Sequence, residues 1–301
     1  VKSIEVHSPA KVNLSLAVTG RRADGFHELL SLAAPLEFGD TLEVSGIGRK
    51  GAVVLECDAE GVPTDASNLA TRAAERFRER YGVRDALRIR IAKRIPSGAG
   101  LGGGSGNAAM TLVALSKMFG QGTTEELESL AAEIGSDCPL FLRGRPLVMR
   151  GRGEILDELP DDLAKELAGR ELFLFKPGFS ISTKWAYRSL LETEGAYADS
   201  ARAEARFDRW LRGGDSFESL LDNTFETVTD RKFPALPLMR EAVLSELGVR
   251  SLMSGSGSCH FALEKNFDEE ALRALARENW GDHCFFRRTR IAFRPLTPKP
   301  S

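Results

Sequence analysis

Leu87-Arg88-Ile89-Arg90-Ile91, then Gly98-Ala99-Gly100-Leu101-Gly102-Gly103-Gly104-Ser105-Gly106, then the Ala-, Leu- and Met-rich run Asn107 to Met118, is the stretch on which the reading of this chain turns. Six glycines fall within nine positions. Glycine loses more backbone freedom on folding than any other residue, so a cluster this dense belongs where bare N–H groups must approach a ligand closely. The first part alternates apolar with basic residues, the period of a half-buried strand, and the last part reads as a helix. A flexible linker would not sit between two core elements. A glycine loop that feeds a helix N-terminus offers unpaired N–H groups and the positive end of the macrodipole, which together cradle phosphate.

The kind of phosphate loop is narrowed by its surroundings. Gly98, Gly100 and Gly103 match the dinucleotide G-x-G-x-x-G spacing, but the helix is followed by a second helical pattern, Thr123 to Ile134, where a Rossmann unit needs a strand ending in an acidic residue. Gly98 and Gly103 also have the Walker spacing, and Ser105 falls at its Ser/Thr position, yet Gly104 stands where the Lys belongs. Protein-kinase catalytic-loop and metal-binding tripeptides are missing as well.

With 301 residues, 42% of them hydrophobic, the chain can build two modest globular cores. Its 41 basic and 43 acidic side chains are well mixed and leave a net charge of −2, no footprint for nucleic acid or a membrane surface. Any anionic ligand is therefore bound locally. Cys57, Cys138, Cys259 and Cys284 lie far apart without a C-x-x-C pair, and His7, His27, His260 and His283 show no metal-ligand spacing, which fits a cytoplasmic protein with free thiols. The sequence contains no signal peptide and no apolar run near the ~18 residues of a membrane span. Pro295 to Ser301 reads as a frayed tail.

Strand candidates in the first half are Ile4 to His7, Val12 to Val18, Thr41 to Val44, Ala52 to Glu56 and Leu87 to Ile91; helix candidates are Asn68 to Arg80, Ser105 to Met118 and Thr124 to Ile134, with Asp65 and Ser67 as caps of the first. The pattern breaks between about Gly151 and Leu172, at Asp157-Glu158-Leu159-Pro160-Asp161-Asp162. The second half gives strand (Glu171 to Lys176), helix (Leu236 to Leu247, stopped by Gly248), strands (Val249 to Met253 and Ser258 to Leu263), helix (Asp268 to Trp280) and strand (Cys284 to Phe293). That order predicts a split βαβ, ferredoxin-like layer, and the whole reads as α+β. Glu194 to Arg231 is a charged insertion, expected to be helical.

Four further segments carry possible chemistry. In Pro9-Ala10-Lys11-Val12-Asn13-Leu14-Ser15-Leu16-Ala17-Val18, strict alternation puts Lys11, Asn13 and Ser15 on one face, for which a solvated strand face is the ordinary explanation. Asp137 follows the third helix in Ile134-Gly135-Ser136-Asp137-Cys138-Pro139, where a plain turn aspartate is the simple alternative. Met253-Ser254-Gly255-Ser256-Gly257-Ser258 is either a hairpin turn or a set of donors for an anion. Asp24-Gly25-Phe26-His27-Glu28 places an aromatic ring and an imidazole on a loop near Arg21 and Arg22.

Pro9 to Asn13, Pro96 to Ala109 and Met253 to Ser258 together resemble the three motifs of the GHMP small-molecule kinases, and the resemblance covers nearly the whole chain. Thr19 to Leu29, Gly39-Asp40-Thr41-Leu42 and Gly135 to Phe141 narrow it to the branch whose acceptor is a cytidine-diphosphate-linked methylerythritol, phosphorylated on its 2-hydroxyl in the non-mevalonate route to isoprenoids. The resemblance implies a two-domain fold: a unit like domain 2 of ribosomal protein S5 over residues 1–155 and a ferredoxin-like unit over 156–301. It departs at Gly106, where the family usually has a second serine, and at Phe26, more often tyrosine.

By the same resemblance Asp137 takes the proton from the acceptor hydroxyl, with Lys11 beside it. ATP would lie on Pro96, Ser97, Gly98, Ala99, Gly100, Leu101, Gly102, Gly103, Gly104, Ser105 and Gly106, with Asn68 and Lys93 on the nucleotide side. Ser105 is the candidate for Mg²⁺ contact. Phe26 and Tyr187 would sandwich the cytosine, His27 would read its edge, and Asn13 and Thr183 would hold the polyol or diphosphate. Ser254, Gly255, Ser256 and Gly257 would support the phosphate loop. The implied partners are small molecules, ATP and the cytidylyl acceptor, not nucleic acid or membrane, and the implied state is a cytoplasmic monomer or weak homodimer. Rival readings are a GHMP kinase for homoserine or mevalonate, and a non-catalytic nucleotide-binding protein that keeps the fold.

Overall fold

The computed structural model describes residues 2–263 and 267–293; the expected frayed tail lies outside them. The chain begins with two long antiparallel strands, β1 (Ser3–Arg21) and β2 (His27–Gly48), paired almost end to end. β3 (Val53–Cys57), α1 (Leu69–Tyr81), β4 (Ala86–Ala92), α2 (Gly103–Phe119), α3 (Thr124–Ile134), α4 (Cys138–Arg143), β5 (Leu147–Arg150) and β6 (Ile155–Glu158) follow. The first sheet runs β3-β4-β2-β5-β6, with β1 along the other edge of β2. Helices form one cover: Phe77 of α1, Met110 and Leu115 of α2 and Leu130 of α3 bury against Val44, Leu87 and Ile89 of the sheet.

After α5 (Asp161–Leu167) come β7 (Glu171–Lys176), α6 (Thr183–Glu192), α7 (Ser200–Leu211), a 3-10 turn (Phe217–Leu220), α8 (Glu226–Lys232), α9 (Ala235–Leu247), β8 (Ser251–Met253), β9 (His260–Ala262), α10 (Glu269–Trp280) and β10 (Phe285–Arg290). The second sheet runs β10-β7-β9-β8, all antiparallel. With β7 first in chain order this is the 4-1-3-2 arrangement of a ferredoxin-like layer, as the element order predicts. Alternation does the packing: Leu172 and Leu174 face Val12, Leu14, Leu32 and Leu36 of the first unit, while Phe173 and Phe175 face Met239, Val243 and Leu272 of α9 and α10.

Several expectations need correction. Ile4 to His7 and Val12 to Val18 are one strand, and Thr41 to Val44 is only the end of β2. The cap of α1 is neither Asp65 nor Ser67 but Asn68, whose side chain accepts from the Ala70 N–H. A border between 155 and 156 would cut β6, which pairs with β5 in the first sheet, so we propose the changeover after Glu158. The Lys11, Asn13 and Ser15 face is not solvated: these residues are 5%, 8% and 3% exposed, because β1 is covered on both faces.

Candidate active site

A cleft of about 870 Å³ is lined by residues of both units, and the glycine loop forms its floor. Gly102, with φ 68°, stands at the N-cap of α2, which has no side-chain cap and no acidic residue in its first turn. By contrast α1, α3, α6, α7 and α10 are each capped by a side chain, those of Asn68, Thr123, Ser182, Asp199 and Asp268. The first-turn N–H groups of α2, like those of α4, α5, α8 and α9, are thus free of a side-chain cap. The loop's carbonyls are held on the protein side: Leu101 O accepts from Lys11 N (2.9 Å), Ala99 O from Cys259 N (3.1 Å), Gly100 O from Ser254 Oγ (3.1 Å) and Ser97 O from Ser180 Oγ (3.0 Å). Gly100 has φ 75°, and a Cβ there would stand 2.0 Å from Ser254 O, so only glycine fits.

Against the loop, with its Cγ 2.8 Å from where a Cβ on Gly102 would stand, Lys11 reaches its Nζ to 3.5 Å from Asp137 Oδ2 and also donates to Asn13 Oδ1. Asn13 is fixed in turn, donating through Nδ2 to Ser31 Oγ (2.9 Å), which donates to Ser15 O (2.6 Å). Asp137 begins α4, but its side chain caps nothing, so the carboxylate stays available to the cleft. Behind it Cys138 is pushed up to about 12, by burial and then by the Asp137 charge, and remains a thiol.

The Met253–Ser258 turn joins β8 to β9 and reaches the same place. Gly255 and Ser256 line the cleft, and Ser256 Oγ is 2.8 Å from Thr183 Oγ1. Asn223 holds the turn by donating both Nδ2 hydrogens, to Met253 O (2.6 Å) and Gly255 O (2.8 Å). Ser254 and Gly257 do not line the cleft; Ser254 is fully buried and links the turn to Asn13 N and Gly100 O. Gly106 does not line it either: it faces β1, and a Cβ would lie 2.7 Å from Pro9 O. Asn68 lines the cleft, but its side chain is occupied, capping α1 and donating to Pro63 O (2.7 Å).

The far end of the cleft is aromatic. Phe26 is half exposed, with the Arg152 guanidinium 4.8 Å from its ring centroid. The Tyr187 ring lies 4.6 Å from that of His27 and edge-on to Phe225 at 4.9 Å, so its nearest ring is His27 and not Phe26. Burial, and then the Arg21 charge, lower the His27 pKa, keeping the imidazole neutral near pH 7. Its Nε2 is buried and has no hydrogen-bond partner among the described residues.

Comparison with known proteins identifies this arrangement. The GHMP kinase N-terminal domain model matches residues 68–145 and the C-terminal domain model matches 205–283. A 4-diphosphocytidyl-2-C-methyl-D-erythritol kinase of Methylacidiphilum infernorum is 36% identical over 294 residues, 94% of this chain and 95% of that one. The chain belongs to the GHMP kinases, in the 4-diphosphocytidyl-2-C-methyl-D-erythritol kinase family. A relative of the same name from Protochlamydia amoebophila is 38% identical and covers 87% of this chain and 84% of its own. A crystal structure of a 4-(cytidine 5'-diphospho)-2C-methyl-D-erythritol kinase superposes with a TM-score of 0.72 at 34% identity, covering 95% of this chain and 99% of that one. A homoserine kinase from Cytophaga hutchinsonii gives the same TM-score at 19% identity, covering 98% and 96%, which shows the shared fold.

Within this family the departure at Gly106 has a physical reason, since β1 leaves no room there for a side chain. Sequence reasoning missed Arg152, Ser136, Asn107, Lys184 and Phe225 on the cleft wall and Asn223 behind it. Gly151-Arg152-Gly153, a cation bracketed by glycines, is the one local signal that points to Arg152. Asn223 lies in a charged insertion and carries no such mark.

Proposed function

We propose that this chain transfers the γ-phosphoryl of ATP to the 2-hydroxyl of 4-diphosphocytidyl-2-C-methyl-D-erythritol, in the non-mevalonate route to isoprenoids. The observation that carries this reading is the Lys11–Asp137 pair, 3.5 Å apart, lining the same cleft as the uncapped N-terminus of α2, against which Lys11 packs. Phosphoryl transfer passes through a loose transition state, so a protein contributes mainly alignment and charge neutralisation. The first-turn N–H groups of α2 and the glycine loop receive the phosphates. Asp137 orients the acceptor hydroxyl and takes its proton; Lys11, steadied by Asn13, neutralises charge between carboxylate and phosphoryl group.

Mg²⁺ fits this donor set. It takes oxygen ligands, keeps several waters and leans on substrate phosphates, so one hydroxyl and one carboxylate suffice. Ser105, in the first turn of α2, and Asp137 would hold it, and it would neutralise the β- and γ-phosphate oxygens. No group of three His, Cys, Asp or Glu able to hold a metal ion occurs among the described residues.

The aromatic end favours an acceptor that carries a base over homoserine or mevalonate. Phe26 offers a half-exposed ring face, and His27, which lines the same cleft with its ring 4.6 Å from that of Tyr187, is assigned to the edge of a cytosine. Base stacking on such rings contributes about 1 to 3 kcal/mol. Thr183 and Asn13 flank the path between that end and the Lys11–Asp137 pair and are assigned to the polyol and diphosphate. The reading is tested by offering ATP and Mg²⁺ with the cytidylyl substrate, mevalonate, homoserine or galactose and locating the new phosphate by NMR. Phosphate on the 2-hydroxyl of the cytidylyl compound alone is expected; transfer to another acceptor would discard the aromatic pocket, and no transfer despite ATP binding would leave a non-catalytic protein.

A further inference from the structure

The Gly39-Asp40-Thr41-Leu42 stretch has no part in the chemistry above. Asp40 is fully buried in β2, under the turn that leads from β4 to the glycine loop. Both of its oxygens are engaged. Oδ1 accepts from the backbone N–H of Arg94 (2.7 Å) and of Ile95 (2.8 Å), and Oδ2 accepts from Lys93 Nζ (2.7 Å). The N–H of Lys93 itself donates to Asp58 Oδ1 (2.7 Å), so three successive N–H groups of this turn end on carboxylates.

Lys93 lines the cleft. Its Nζ is 3.0 Å from where a Cβ on Gly103 would stand, in the uncapped first turn of α2. One ammonium hydrogen goes to Asp40, which leaves two for the cleft. A lysine stem is flexible and loses rotamer freedom when its head binds an anion; a buried carboxylate that already holds the head removes that cost beforehand.

We propose that Asp40 is a positioning residue for the nucleotide: one carboxylate fixes both the Lys93 ammonium and the turn that launches the glycine loop, so that cation and loop N–H groups meet the phosphates of ATP as one preset cradle. The proposal rests on the placement of ATP at the glycine loop. It assigns Asp40 to the nucleotide and not to the acceptor, and it makes Lys93 the group through which part of its effect is felt.

The test is calorimetric titration of ATP with Mg²⁺, and separately of cytidine diphosphate, into the unaltered protein, Asp40→Asn, Lys93→Met and the double variant. Asp40→Asn retains a carbonyl oxygen for the two backbone bonds but turns an amide NH₂ toward Lys93. Each single change is expected to weaken ATP by about tenfold, the size of one charge-assisted hydrogen bond, and the double change by no more than either alone. Cytidine diphosphate affinity should move by less than about twofold. Multiplied losses in the double variant, equal losses for both ligands, or unchanged ATP affinity would overturn the proposal. Lys93→Met leaves both backbone bonds to Asp40 in place, so if Asp40→Asn does not fold, unchanged ATP affinity in Lys93→Met overturns it alone. Failure of the unaltered protein to bind ATP would instead remove the nucleotide reading itself.

Discussion

Asp137 and Lys11 are legible as residues, but the distance between them is not. One belongs to a turn at the start of α4 and the other to β1, and the fold brings them to 3.5 Å. If Asp137 orients and deprotonates the acceptor, Asp137→Asn should lower kcat by about 10² to 10⁴, while ATP affinity stays within about twofold; equal loss of both would remove the assigned role. His260 supplies a second prediction at this scale. It is fully buried, its Nε2 3.2 Å from Arg240 and its Nδ1 3.2 Å from Ser258 O, and burial followed by the Arg240 charge depresses it to about 3. The unfolded chain takes up that proton near 6.5 and the folded protein does not, so the stability it secures is complete above pH 6.5 and is lost as pH falls toward 3. Glu226 has the opposite sign: burial pushes it up to about 7 from 4.5, so its contribution is complete below pH 4.5 and fades as pH rises toward 7. His260→Gln should remove up to about 1.4 kcal/mol per pH unit from the acid limb of urea-unfolding stability, and an unchanged limb would contradict the assignment.

Among elements, the helices with clear periods and end signals are the most legible. Thr124–Ile134 begins with a Thr123–Glu126 capping box, and α9 ends at Gly248 in the left-handed conformation, as the sequence predicts. β2 is the least legible, because Leu29 to Leu36 is buried on both faces and so lacks the alternation that marks a half-buried strand. Short elements such as α4 and β5 likewise escape a period count, having six and four residues. Asn68 shows how an element can claim a residue assigned to a ligand. Its Oδ1 caps α1 at Ala70 N (2.9 Å). Asn68→Ala should therefore cost about 1 kcal/mol in denaturant unfolding, and an unchanged midpoint would return Asn68 to a purely ligand-binding role.

For the whole molecule, the insertion at Glu194 to Arg231 is the main surprise. Its composition marks a charged, helical insertion, yet Phe207, Trp210, Phe217, Leu220 and Phe225 enter the shared cores, and Asn223 anchors the turn at Met253 to Gly255. Limited proteolysis should accordingly leave residues 200–231 uncut at equal rates with and without ATP and cytidylyl substrate. Ligand-dependent protection there would show a lid instead. The sequence by itself determined the α+β class, the ferredoxin-like order of the second half, the glycine loop that feeds α2 and the family, because each is written in local period, glycine density or contiguous motif. Only the tertiary structure decided that the polar face of β1 is buried, that Gly106 faces a strand and not a ligand, that Arg152 lines the cleft, and that Asn223 holds the turn at Met253 to Gly255. Those facts depend on which elements meet across the cleft, and such contacts between residues far apart in sequence leave no mark on the local pattern of either partner.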